Sequence, residues 1–411
     1  MTKRGVPNRL LLVSLALGAF AIGTDTLVIS GLLVRIAVGV HVSTTTAGQL
    51  ITVFALVYAL GAPVLATLTG TVKRKRLLLM ALAVFTIANA VGAAAPDYPV
   101  LLAARVLAAV GAALFMPSAM TVTVGVTPQQ WRGRALAIVV GGLSAATALG
   151  VPLGTAIGAI GNWRMTLLLV AVLAIIAAAV IAAALPDVPA PAVATIRQRF
   201  AAGTHPGVLT ALLGNLLACA GEYTTFVYIA PLAIGLTKTD AAGVSVFLLI
   251  AGVSAVAGSF VGGRAADRFG GRRAYTGGVS VLFACLSAIA LLTLCAPRGS
   301  WITIGMFALL LCVASVASWS LPPAQNHRIA SLDIPEPSVA LSLNGSSSYL
   351  GLAAGGALGG LAIASGSIAA LTVTGAGVEL LALVTVVASP TLLSRRRRPR
   401  PSAPAPPAGQ G

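Results

Sequence analysis

The stretch GRAADRFGGRR, residues 263–273, joins two long apolar runs, and a related stretch, GTVKRKR, occupies residues 70–76 in the first half of the chain. The two stretches align when the halves are offset by 197 residues, which pairs Lys75 with Arg272. The same offset pairs Asp25 with Glu222, and each of these acids lies inside an apolar run. We therefore interpret the chain as two copies of one unit, built from apolar segments and short basic loops.

The composition is typical of an integral membrane protein. Of 411 residues, 58% are hydrophobic and 9% are charged, whereas about a quarter of the residues in soluble domains are charged. A net charge of +17 alone could indicate nucleic-acid binding, but the basic residues fall in short clusters between apolar runs, and aromatic residues make up 5%. The sequence therefore predicts a lipid bilayer as the partner of this chain, and no nucleic acid.

Apolar runs of about 20 residues, the length that crosses a bilayer, predict twelve transmembrane helices. They cover residues 10–37, 47–69, 77–95, 100–123, 135–158, 164–185, 207–235, 241–262, 274–295, 301–324, 338–364 and 367–392. The first run follows Lys3 and Arg4 and is longer than the apolar part of a signal peptide, so we expect an uncleaved first span. The predicted fold is an all-α membrane protein with two pseudo-symmetric bundles of six helices.

A proline-containing segment divides six predicted spans from the other six. We predict an N-terminal bundle over residues 1–185, a cytoplasmic linker over 186–206, a C-terminal bundle over 207–393 and a tail over 394–411. The tail is basic and then rich in proline and alanine, a composition typical of disorder. Because each bundle has an even number of spans, the two should be parallel repeats related by an axis along the membrane normal.

Lysine and arginine positions predict the orientation, since cytoplasmic loops hold the excess of these residues. With the N-terminus inside, 21 of the 26 lysines and arginines fall on the cytoplasmic side. We therefore predict a multi-pass protein of the inner (plasma) membrane with both termini in the cytoplasm.

Asp25 and Glu222 are candidate functional residues because a charge held in hydrocarbon costs several kcal/mol. Burial favours the neutral form of a carboxyl group and a nearby cation favours the ionised form, so either acid could take up and release a proton. We expect the two to face each other across a central cavity. Arg105 is the basic residue inside a predicted span. It either relays protons or binds an anionic partner such as Asp25, or else it lies near the outer end of its helix and extends to the membrane surface.

Several uncharged side chains are candidates for a cavity wall. Asn215, Glu222 and Phe226 share one face of their predicted helix, with Tyr223 beside them. Trp319, Asn344 and Tyr349 are further candidates from later spans. Such a wall suits a moderately hydrophobic solute, whereas the alternative role of each uncharged residue is interhelical packing or hydrogen bonding.

The stretch 263–273 resembles the signature loop of the major facilitator superfamily, which reads roughly G-x-x-x-D-R-x-G-R-R. In that family the loop is a conformational latch, so the resemblance implies a gating role for Asp267, Arg268 and Arg272. The alternative is an ordinary basic cytoplasmic loop. In the first half Gly70 stands where the acid should be, which suggests that the N-terminal loop mainly supplies positive charge.

A second resemblance lies in the fifth predicted span, where Gly150, Pro152 and Gly154 partly match the helix-5 motif of drug and proton antiporters in the same superfamily. Here Val151 splits the usual Gly-Pro pair. Small residues recur at every fourth position of this span, as Gly142, Ala146, Gly150, Gly154 and Gly158. They indicate either close helix packing or a role in the direction of exchange.

These resemblances imply a secondary active transporter rather than an enzyme, and specifically proton-coupled export of a small drug-like solute by alternating access. The alternatives are an exporter of sugars, nucleosides or metabolites, a uniporter or importer of the same fold, and, more remotely, a polytopic membrane enzyme. The cysteines and histidines are scattered and no nucleotide-binding G-x-x-x-x-G-K-[ST] run is present. We therefore predict no metal and no cofactor, and a protein that functions as a monomer.

Overall fold

A computed structural model describes residues 9–128, 131–185, 204–332, 334 and 337–396. Most of the predicted linker and most of the predicted tail lie outside these residues. The described helices are α1 (Arg9–Gly39), α2 (Thr44–Leu68), α3 (Arg74–Ala94), α4 (Tyr98–Val126), α5 (Arg132–Ile160), α6 (Trp163–Ala184), α7 (Pro206–Phe226), α8 (Ile229–Thr237), α9 (Ala241–Phe269), α10 (Gly271–Cys295), α11 (Trp301–Ala330), α12 (Pro337–Ala364) and α13 (Ile368–Arg396).

The predicted set of spans is confirmed, with one helix broken. Within the described residues, eleven helices are long and apolar enough to cross a membrane, and α7 with α8 makes a twelfth if that bent pair is one span. The pair bends by 49°, whereas the sequence predicted one continuous helix over 207–235. Pro231 explains the break, because a proline has no backbone N–H and its ring clashes with the carbonyl four residues earlier, here that of Val227.

Polar residues in short loops cap several helices at one end of the molecule. Ser43, Asp97 and Asp240 each accept a hydrogen bond from the backbone N–H three residues later, at 3.0 Å. Such caps satisfy N–H groups that the first helical turn leaves without a partner. The helix starts are thus fixed by short sequences between the apolar runs.

Helices of the same half form most of the packing, and two seams join the halves. In the first half α1 packs on α2, α5 and α6, and α3 packs on α4 and α6. In the second half α7 packs on α12 and α13, and α11 packs on α9 and α10. The seams between the halves are α2 with α12 and α5 with α9.

The hydrophobic core closes one end of the molecule across both halves. At the end where α1 connects to α2, a single cluster combines Ile36 and Leu50 of the first half with Leu232 and Leu248 of the second. We call this cluster the apolar plug. Towards the other end the buried side chains divide into one cluster from the first half and others from the second. The halves are therefore joined more tightly at the plug than at the opposite end.

Candidate functional site

Asp25 on α1 and Arg105 on α4 form a buried ion pair. The Arg105 Nη1 lies 2.7 Å from each carboxylate oxygen of Asp25, and its Nη2 donates to the Asp25 backbone carbonyl at 3.3 Å. The two side chains are 0% and 2% exposed. Each charge therefore compensates the other in a place where neither would be tolerated alone.

The surroundings of Arg105 hold its guanidinium inside the protein, and a part in proton relay stays a prediction. Its guanidinium lies 4.4 Å from the centre of the Phe54 ring on α2, a cation–π contact. Because Arg105 is buried and bound to Asp25, it does not extend to the membrane surface. Among the described residues, its Nε has no hydrogen-bond partner.

A tyrosine pair joins the two halves beside this ion pair. Tyr58 on α2 and Tyr349 on α12 are stacked, with ring centres 3.7 Å apart and an interplanar angle of 23°. Tyr349 lies within hydrogen-bond reach of Thr26 and interacts electrostatically with Asp25. The charged pair of the first half is thus in contact with the seam between the halves.

The small-residue stripe of α5 packs against the helix that carries Asp25. Gly150 contacts Thr24, and a Cβ atom on Gly154 or Gly158 would lie 2.7 Å from Val28 or 2.5 Å from Leu32. These α1 residues are also four apart, so the two stripes run alongside each other.

A π-helical turn, Ala146–Gly150, precedes Pro152 in α5. It fits a position where proline cannot donate to the carbonyl four residues earlier. Close packing, one of the two alternatives for the stripe, is present; a role in exchange direction stays a prediction.

Glu222 lies inside the second half. It lines a cavity of about 30 Å³ whose walls come from α7, α8, α10 and α11 and include no residue of the first half. Ser318 on α11 is within hydrogen-bond reach of its carboxylate. This differs from the expected arrangement, in which Asp25 and Glu222 faced each other across one cavity, because the α7 face with Glu222 and Phe226 is turned towards α10 and α11.

The other cavity candidates divide between two roles. The Asn215 side-chain amide donates to Ser347 and Ser348 of α12 at 2.9 and 2.8 Å, and Asn344 lies 3.4 Å from Asn326 of α11. Both asparagines therefore take part in interhelical hydrogen bonds, the alternative noted for them. The rings of Tyr223 and Phe226 meet edge to face at 6.1 Å, and Trp319 is half-buried on α11.

The predicted latch loop is almost entirely helical. Asp267 and Arg268 belong to the end of α9 and Arg272 to the first turn of α10, so that Gly270, with φ of +84°, alone separates the helices. Glycine adopts this conformation without strain. All three charged side chains are exposed, and within the described ranges Asp267 forms no ion pair. Their gating role stays a prediction.

Sequence reasoning missed Phe54 and Tyr58, which complete the surroundings of the ion pair. Both are aromatic residues four apart on the same span, within the apolar run of α2. Their spacing shows that they share a helix face, but nothing in the sequence indicates that this face meets α4 and α12.

Comparison with known proteins identifies relatives along nearly the whole chain. The family model described as Major Facilitator Superfamily matches residues 15–302 and 211–410. The chain is 32% identical over 374 residues to the uncharacterized MFS-type transporter YbcL of Bacillus subtilis, covering 90% of this chain and 93% of that protein. It is 31% identical over 389 residues to the inner membrane transport protein YdhP of Escherichia coli, covering 94% and 96%.

One further relative matches a shorter segment of the chain, and one solved structure shares its fold. A chloramphenicol resistance protein of Streptomyces lividans is 37% identical over 263 residues, which is 62% of this chain and 66% of that protein. Among solved structures, a bacterial homologue of the human lysosomal transporter Spinster, in an inward-facing and occupied conformation, superposes with a TM-score of 0.71. It covers 94% of this chain and 96% of its own at 18% identity, a likeness of fold.

Proposed function

The chain belongs to the major facilitator superfamily, and on that premise we propose that it exports a small hydrophobic or amphipathic solute in exchange for protons. Members of this family are membrane transporters rather than enzymes, and its bacterial relatives include an inner membrane transport protein. The single observation that carries the proposal is the ion pair between Asp25 and Arg105, buried at the seam between the halves.

Protonation of Asp25 would remove one charge of this pair. The guanidinium of Arg105 would then be left buried without its counter-ion, which costs about 3–5 kcal/mol when a buried pair is broken. A rearrangement that lets Arg105 reach water or a substrate group relieves that cost. Proton binding is in this way linked to a change of conformation, since only a differential effect on two states can shift their populations.

The position of the pair supports coupling to alternating access. Tyr349 belongs to the second half and contacts Thr26, the residue after Asp25. A displacement of α1 that follows loss of the ion pair would therefore act on the tyrosine stack that joins α2 to α12.

The orientation is part of the same proposal. With both termini in the cytoplasm, as the distribution of basic residues predicts, the apolar plug closes the external end. The described conformation then faces the cytoplasm, the state in which an exporter takes up its substrate. The relative named for chloramphenicol resistance makes that antibiotic the first solute to test.

The test is an accumulation assay in an efflux-deficient bacterial host, with and without the gene. The panel contains chloramphenicol, other antibiotics, sugars and nucleosides. Proton-coupled export predicts lower accumulation of at least one antibiotic in cells with the gene, and loss of the difference when a protonophore is added or when Asp25→Asn is introduced. Higher accumulation would instead indicate import, and a decrease that survives the protonophore would contradict the proton coupling.

A further inference from the structure

A third acid of the membrane interior, Glu379 on α13, has no part in the site described above. Its side chain is 0% exposed, and among the described residues neither of its carboxylate oxygens has a hydrogen-bond partner. An ionised carboxylate in this condition would cost several kcal/mol. Its burial therefore requires either a bound proton or a bound cation.

Two glycines bring Glu379 next to Glu222. A Cβ atom on Gly221 of α7 would lie 2.5 Å from the Glu379 Oε2 and 2.8 Å from its backbone nitrogen, and one on Gly375 of α13 would lie 2.5 Å from the Thr225 hydroxyl of α7. The two helices thus approach closely at Gly221. Glu222 is the next residue of α7, so its backbone lies beside this point of contact with α13.

Among the described residues, the groups around the two carboxyls include no basic side chain paired with either of them. The titratable or charged side chains that act on the two carboxyls, directly or through one another, are Cys219 and Tyr223 of α7, Tyr275 of α10, Tyr349 of α12 and Arg328 of α11. Helix α10 also carries Arg272, Arg273, Cys285 and Cys295. Within the part of the chain that the structure describes, no lysine, arginine or histidine forms an ion pair with Glu222 or Glu379. This is the opposite of the first half, where Arg105 neutralises Asp25.

Two neighbouring carboxylates without a cation cannot both be ionised in a site of low dielectric. The cavity beside Glu222, of about 30 Å³, has room for one or two water molecules that could accept a proton from its carboxyl group. The Thr225 hydroxyl lines this cavity and has no hydrogen-bond partner among the described residues, so it is available to bind such water.

From this geometry we propose that Glu222 and Glu379 form a proton-binding pair inside the second half, separate from Asp25, that holds one or two exchangeable protons. The pair binds protons whether or not the solute is an antibiotic, so it does not depend on the proposed export. A monovalent cation such as Na⁺ is the competing ligand, and the experiment separates it from the proton.

Carbodiimide labelling provides the test, because these reagents attack protonated carboxyl groups in apolar surroundings. Purified full-length protein in detergent is labelled over a range of pH, and the modified peptides are identified by mass spectrometry. We expect Glu222 or Glu379 to be labelled, and the extent of labelling to decrease at least tenfold as the pH is raised. NaCl and KCl at equal concentration should have the same effect on this labelling. Absence of label on both residues at every pH, or specific protection by NaCl, would overturn the proposal.

Variants establish whether the two carboxyls act as a pair. In Glu379→Gln, Glu222 should still be labelled, but the pH at which its labelling is half-maximal should change because a neighbouring titratable group has been removed. If that pH is unchanged, the two carboxyls do not act as a pair. The double variant Glu222→Gln, Glu379→Gln should lose less thermal stability than the parent protein as the pH is raised, because its buried side chains carry no exchangeable proton. Asp25→Asn should abolish proton-driven export but leave the labelling intact, which distinguishes this site from the proposed coupling site.

Discussion

Tyr58 and Tyr349 stack at 3.7 Å between ring centres and thereby connect α2 of the first half to α12 of the second. The contact bridges the two halves beside the ion pair of the first half, and we expect it to be lost when α2 and α12 separate. An aromatic pair contributes about 0.5–1.5 kcal/mol beyond its buried area. The stack therefore biases the protein towards the conformation that is closed at the apolar plug.

Replacing the tyrosine ring should shift this bias. We expect Tyr349→Ala to increase the population open at the plug about two- to tenfold, the change that corresponds to the energy of one aromatic pair. The measurement is the alkylation rate of Leu232→Cys, a buried plug residue, in a background that lacks the four native cysteines. Tyr349→Phe keeps the ring and serves as the control; equal alkylation rates in both variants and the parent would show that the stack does not influence the conformation.

The ion pair should show strong coupling in a double-mutant cycle. Asp25→Asn or Arg105→Gln alone leaves a buried group without its partner, so we expect each to reduce stability by about 3–5 kcal/mol, whereas the double variant should lose much less than the two losses combined. Thermal unfolding in detergent measures the midpoints. Additive effects would mean that each residue is stabilised by other groups.

Two adjacent glycines in α5 offer a matched comparison. A Cβ atom on Gly142 would collide with the backbone carbonyl of Ala16 on α1, whereas one on Gly141 meets nothing within 4 Å. We expect Gly142→Ala to destabilise the protein by about 1–3 kcal/mol through overpacking, and Gly141→Ala to have no effect or to stabilise it by up to about 1 kcal/mol. Similar unfolding midpoints for the two variants would argue against the close approach of α1 and α5.

The turn between α9 and α10 depends on backbone conformation rather than space. Gly270 has φ of +84° and an open site around its Cα, while Gly263 is equally open but has an ordinary helical backbone. Gly270→Ala should therefore cost about 1–2 kcal/mol, and Gly263→Ala should be neutral or stabilising. The two variants are compared by their unfolding midpoints and by the rate of limited proteolysis within residues 264–273.

The latch hypothesis predicts an effect on transport without an effect on stability. Asp267 is exposed and forms no ion pair within the described ranges, so Asp267→Asn should leave the unfolding midpoint unchanged in this conformation. If the acid binds a neighbouring helix in the alternate state, the same variant should lower the transport rate several-fold. The control for loss of one acidic charge is exposed Asp240, which caps α9 at the other end of the molecule. Normal transport by Asp267→Asn would indicate that the stretch is an ordinary basic loop.

The spans were predictable because hydropathy is a local property, and a run of about 20 apolar residues has few other uses. The break after Phe226 could have been predicted from Pro231, had its clash with the preceding turn been weighed against continuous hydropathy. The partner of Arg105 was named as one of two alternatives, since a buried arginine needs an acid. Each of these features could be predicted because it depends on a single segment of sequence or on a single chemical requirement.

The directions in which side chains point within the bundle were harder to predict from the sequence. Glu222 was identified as buried, but the side of α7 on which it lies depends on how that helix is rotated against α10 and α11. The proximity of Glu379 to Glu222 could not be predicted from the sequence, because it follows from two glycines on different helices, Gly221 and Gly375. The contribution of Tyr58 likewise depends on the seam between α2 and α12, which joins segments almost 300 residues apart.

The apolar plug gives the transport cycle a thermal signature. It is made of hydrophobic side chains from both halves, and attraction between such groups weakens as water is cooled. Separation of the plug exposes them, so the heat capacity of the protein should rise when it opens at this end, which is the external end in the proposed orientation. Chilled transporters should consequently spend a larger fraction of their time in the outward-open state than warm ones, and calorimetry of outward-locked and inward-locked forms should register the difference.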